Sequence, residues 1–75
     1  MGKQIKVGSR VMWRGSWGSK PAVEAKVERI EETNEPHETD GWEVDSIDFK
    51  NRACSVIDLD NGHWCYGDQI EDVLD

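Results

Sequence analysis

The chain has 75 residues, 36% of them hydrophobic, with sixteen acids against nine bases and a formal net charge of −7. One domain over residues 1–75 is the ceiling at this length, and a core worth only about 3–5 kcal/mol argues for a small binding module rather than an enzyme with a deep pocket. The acid excess argues against coating duplex DNA or an anionic membrane, and no stretch approaches the ~20 apolar residues of a membrane span.

The first patterned element is residues 5–7, followed by Gly8-Ser9 and then residues 10–14. Val11 and Trp13 fall on one strand face, with Arg10 and Arg14 on the other, as in a half-buried strand. Gly15, Ser16, Trp17, Gly18 and Ser19 form a loop. Residues 21–32 fit two periods. Val23, Val27 and Ile30 have helical spacing, whereas Val23, Ala25 and Val27 alternate with Glu24, Lys26 and Glu28. We read a strand, because every other element is β, and the out-of-phase Ile30 then predicts a bulge.

Residues 33–41 are a polar excursion with turn chemistry at Pro36 and Asp40-Gly41. Residues 42–45 and 47–49 alternate in opposite phases, which predicts a bulge near Ser46. After a turn at 50–52, residues 53–67 contain Asn61-Gly62 between two apolar-rich runs, a strong hairpin signal. A two-residue loop there pairs Leu59 with Trp64, Asp58 with Cys65 and Ile57 with Tyr66, making Trp64 a core residue. A three-residue loop with a bulge shifts that register. Ile70, Val73 and Leu74 suit a short 3₁₀ turn running into a last strand.

The charge is split along the chain. Residues 1–29 hold seven bases and two acids (+5), and residues 30–75 hold two bases and fourteen acids (−12), together −7. Such a split arises either from strands of opposite charge complementing each other or from a basic edge built for an anionic partner. The two cysteines, Cys54 and Cys65, are too few for a secreted disulfide scaffold. With no apolar leader in view, the expectation is a cytoplasmic protein with reduced thiols. In the two-residue-loop register the cysteines stand roughly 13 Å apart, too far for a disulfide. Neither they nor His37 and His63 show zinc-ligand spacing, so no metal and no cofactor is expected. His63, Asp60 and Cys65 are the nearest approach to a catalytic set. Residues two apart on a strand lie ~6.5 Å from each other, beyond nucleophile–base reach, so no catalytic residue is assigned.

The order of elements, with residues 7–11 (VGSRV), 25–30 (AKVERI) and 56–64 (VIDLDNGHW), resembles the SH3-like small β-barrels, in particular their Tudor and KOW-type branch. The resemblance covers nearly the whole chain and implies an all-β, five-stranded SH3-like barrel with a short 3₁₀ turn near the C-terminus. It also implies a non-catalytic module that binds a peptide, a modified side chain or nucleic acid. The longer acidic loop at 33–41 and the net negative charge depart from a typical KOW nucleic-acid binder. An aromatic cage for a methylated cation would draw on Trp13, Trp17, Trp42, Phe49, Trp64 and Tyr66 with Asp68. Trp13 and Trp64 are assigned instead to the core.

The leading expectation is a binding or adaptor module that recognises a peptide or protein segment through Arg14, Trp17 and Lys20, with Trp42 and Tyr66 as neighbouring aromatics. One alternative is single-stranded nucleic acid on a basic N-terminal edge of Lys3, Lys6, Arg10, Arg14 and Lys20. Another is a self-associating structural module, in which the basic N-terminal edge of one copy meets the acidic surface of another; the chain is expected as a monomer or weak homo-oligomer.

Overall fold

The computed structural model describes residues 3–15 and 19–74. Within them the chain is built from short antiparallel strands and 3₁₀ turns. The strands are β1 (Gln4–Lys6), β2 (Arg10–Trp13), β3 (Val23–Thr33), β4 (Gly41–Val44), β5 (Ser46–Asp48), β6 (Ser55–Leu59), β7 (Trp64–Tyr66) and β8 (Ile70–Val73). One 3₁₀ turn spans Phe49–Cys54 and another spans Gly67–Gln69. The all-β expectation and the 3₁₀ turn before the last strand agree with this architecture. Eight strand segments stand among the described residues where five were expected, because the chain changes partners wherever it bends. Residues 53 and 54, expected to open a strand, belong instead to the first 3₁₀ turn.

The main sheet runs β7-β6-β3-β2-β8, with β4 also paired to β3, and a separate ribbon joins β1 to β5. The main path ends at β7 on one side and β8 on the other, so the sheet is not closed into a barrel. The longest strand, β3, is central. Its first half pairs with β2 (Arg10 opposite Lys26, Trp13 opposite Val23), and its second half pairs with β4 on one edge and β6 on the other.

The phase conflict at Ile30 is resolved by a register shift against β6 between Val27 and Arg29. Ala25 and Val27 are buried before the shift, and Ile30 and Thr33 after it. A bulge supplies the extra residue that moves Ile30 back to the inner face. Near Ser46 the opposed phases have a related cause. Asp45 separates β4, which pairs with β3, from β5, which pairs with β1.

Ile5, Val11, Val27, Ile30, Ile57, Leu59, Cys65 and Ile70 form the centre of the core, with Ala25, Ile47 and Val73 beside them. Trp13, Val44 and Phe49 pack against this cluster while partly exposed. The two-residue loop fails at the hairpin. Val56 pairs with Tyr66, Ile57 with Cys65 and Asp58 with Trp64. The Leu59 N–H donates to the His63 carbonyl (2.9 Å), closing a loop of Asp60, Asn61 and Gly62. Gly62 takes φ +84°, which glycine adopts without steric cost. A one-residue slip moves every side chain of a strand to the opposite face. Cys65 therefore enters the core at 1% exposure, and Trp64, expected inside, stands 53% exposed.

Candidate functional site

The end of β2, residues 20–23 and the tip of the β6–β7 hairpin frame a groove. Trp13 ends β2, and its six-membered ring covers Gly15 so closely that a Cβ there would lie 2.9 Å from Cζ2. The His63 ring tilts against Trp13 with centroids 5.2 Å apart. Backbone pairing fixes the tip: the Asp60 N–H donates to the Lys26 carbonyl, and the Lys26 N–H donates to Asp60 Oδ1 at 3.0 Å. The groove encloses about 270 Å³ and is lined by Trp13, Gly15, Lys20, Pro21, Val23 and His63. That is just below the ~300 Å³ where small-molecule pockets begin, which suits one or two inserted side chains better than a metabolite. Its chemistry is apolar on the Trp13, Pro21 and Val23 walls and polar at Lys20 and His63. The Trp13 indole Nε1–H is buried and finds no hydrogen-bond acceptor among the described residues. A buried donor left in that state costs about 1–3 kcal/mol.

Arg14 shapes the neighbourhood of this groove rather than lining it. Its Nη1 donates to the Lys20 carbonyl (3.0 Å), and its Nε pairs with Glu71 at 2.5 Å. The hydrogen bond to Arg14 holds the Glu71 carboxyl below its ordinary range, and Glu71 in turn raises the Arg14 guanidinium. Lys20 is exposed beside it. Trp17 lies outside the described residues.

Trp42 and Tyr66 are positioned elsewhere. Trp42 is opposite Glu32, which is opposite Ser55, whereas Tyr66 is opposite Val56. Residues 55 and 56 are strand neighbours, so Trp42 and Tyr66 belong to opposite faces of the sheet. Tyr66 shares its face with Trp64, the two rings meeting edge-on with centroids 5.3 Å apart at 85°. The polar loop at 33–41 returns to this face. His37, in a left-handed backbone conformation (φ +62°), sets its ring 4.8 Å from Tyr66 and its Nε2 2.6 Å from Asp68 Oδ2. Sequence reasoning named Tyr66 but missed Trp64 and His37. The correct hairpin register would have exposed Trp64, whereas no local pattern points His37 at Tyr66.

A roomier, more polar cavity of about 440 Å³ lies between β1, β3 and β5, lined in part by Glu32, Asp48, Asn51 and Cys54. Among the described residues no three of His, Cys, Asp and Glu converge as metal ligands. Both cysteines are free. Burial, helped by Asp68 and Asp58, pushes the Cys65 thiol up to about 12, the reverse of an activated nucleophile.

The basic N-terminal residues are largely matched within the fold. Lys3 pairs with Asp72, Arg10 with Glu24 at 3.6 Å and Arg14 with Glu71. Among the described residues no helix is long and apolar enough to cross a membrane. No known protein family, curated protein or solved structure matches this chain.

Proposed function

We propose that this domain is a non-catalytic binding module of SH3-like architecture that takes a peptide segment in the groove between Trp13, residues 20–23 and the hairpin tip. The observation that carries the reading is the make-up of that groove, an apolar wall of Trp13, Pro21 and Val23 beside the polar Lys20 and His63. An apolar peptide side chain fits against Trp13, Pro21 and Val23, and the exposed Lys20 at the edge can meet a peptide carbonyl or carboxylate. The strand path supports the architecture. Four strands follow as the meander β2-β3-β6-β7, and β8 returns to pair with β2 directly after a 3₁₀ turn.

Nucleic-acid binding has weaker support. Three of the five bases it would use, Lys3, Arg10 and Arg14, are already paired with acids.

The test is selection from a displayed random-decapeptide library, followed by amide-shift titration of the labelled protein with the synthetic winners. The Trp13 indole, Val23 and His63 signals should move. Val23→Ser, which takes an exposed apolar side chain out of the wall, should weaken binding about fivefold through the lost apolar contact. Selected peptides that leave those signals still would refute the reading, as would an oligothymidylate that shifts Lys3, Lys6 and Lys20 when no peptide binds.

A further inference from the structure

A second surface has different chemistry and lies on the outer face of β3, β6 and β7. Cross-strand register sets out its residues in two rows. One row is Glu43, Glu31, Val56 and Tyr66, and the next is Arg29, Asp58 and Trp64. Arg29 is the only base in these rows, and it is occupied by Glu31 at 3.3 Å and Glu43 at 3.5 Å. Asp58 makes no ion pair among the described residues. Directly opposite it stands Trp64, 53% exposed. Tyr66 meets Trp64 edge-on, and His37 rests on Tyr66 while holding Asp68. The aromatic pair is thus braced from the loop side, with an unpaired carboxylate beside an open indole.

We propose that this face is a second binding site, which takes an arginine-bearing segment of a basic peptide, its guanidinium laid on the Trp64 ring and hydrogen-bonded to Asp58. The commitment to arginine follows from the geometry. Directly opposed residues on a sheet have Cβ atoms about 4.5–5.5 Å apart, so one ligand group can touch both side chains. A planar guanidinium can stack on an indole and still present its edge to a carboxylate, whereas a lysine ammonium is a compact point charge. Charge complementarity selects a basic partner. Glu31, Glu43, Asp58 and Asp68 outnumber Arg29 on and beside this face, so it repels an acidic segment and offers a neutral one ring contact without the charge term.

The experiment is an amide-shift titration of the labelled full chain at low salt with an acetylated and amidated Arg-Gly-Arg-Gly-Arg peptide. The lysine counterpart, the glutamate counterpart and a Gly/Ser peptide are run in parallel. The arginine peptide should move the Trp64 indole and the Asp58 and Tyr66 amides while leaving the Trp13 indole and Val23 still, which separates this site from the groove. Trp64→Ala should weaken binding at least about fivefold and Asp58→Asn about threefold, in the range of an exposed cation–π contact and one charged hydrogen bond. Equal shifts with the lysine peptide overturn the arginine assignment. Shifts centred on the acidic loop and indifferent to Trp64→Ala reduce the effect to counter-ion attraction and overturn the site. A dimer seen by sedimentation of the free chain, and lost in Trp64→Ala, overturns the peptide in favour of a second copy.

Discussion

Two regions of this molecule carry similar residues to opposite ends. Where β2, β3 and β8 meet, bases and acids are matched one to one: Arg10 with Glu24, Arg14 with Glu71 and, from beside β1, Lys3 with Asp72. On the outer face of β3, β6 and β7 the acids exceed the bases, and aromatic rings stand among them. The first region uses the charge split of the sequence internally. The second leaves it open to a partner. A net charge of −7 therefore describes neither region, and a linear +5 and −12 division misplaces the excess, because β8 brings acids back to the basic strands.

The largest way to break the contrast is through the turn that carries Asp68. A Cβ on Gly67 would lie 1.7 Å from the Arg52 carbonyl oxygen and 2.1 Å from Ser55 Oγ. Gly67→Ala must separate the two 3₁₀ turns, and we expect a loss above about 4 kcal/mol, enough to unfold a domain of this size. Amide-shift dispersion measures it directly.

The next test bears on the hairpin register. Leu59→Ala, removing a buried side chain, should cost about 2–5 kcal/mol in a denaturant melt. Trp64→Ala should change stability by about 0.5 kcal/mol or less, as expected of an exposed site. A large cost for Trp64→Ala would restore the two-residue turn and return that ring to the core.

Cys65 reads the same register in alkali. Its thiol is pushed from 9.0 to about 12 in the folded chain. Between those values the unfolded chain has released a proton that the folded chain retains, so stability falls as pH rises, by about 1.4 kcal/mol per pH unit. Below the ordinary thiol value the effect vanishes. Cys65→Ala should flatten that part of the stability profile relative to the parent.

The smallest effect tests the matched region. Hydrogen bonds from Arg14 and Lys3 hold Glu71 and Asp72 below their ordinary values. Their contribution is present above the ordinary carboxylate range and is lost as pH falls through the lowered folded-state values. Both pairs are exposed, so the loss should be slight and should shrink further in high salt. A melt of Glu71→Gln across acid pH checks it.

Much of this fold is legible in the chain because alternation and turn chemistry are local. Val11, Ala25 and Val27 reveal inward faces, the displaced Ile30 reveals a bulge, and Asn61-Gly62 reveals a hairpin. What is hidden is the loop length at that hairpin. The same dipeptide serves a two-residue turn and a three-residue loop with Gly62 left-handed, and the choice rests on how Asp60 docks onto Lys26, a contact 34 residues away. That single residue of slip exchanged Trp64 and Cys65. The groove is half legible, since Lys20 lines it and Arg14 braces it, but Trp13, which forms part of its apolar wall, looks in sequence like plain core. His37 on Tyr66 is a long-range contact made by a polar loop, and periodicity carries no trace of it.

The length of β3 has a further consequence. Both regions borrow their hydrogen-bonding edge from this one strand, before and after the shift at Val27. Melting of either region removes order from the strand on which the other is paired, so heat or denaturant should meet one cooperative unit, with the slowest-exchanging amides on either side of that corner. A ligand on either surface would then protect the amides of both.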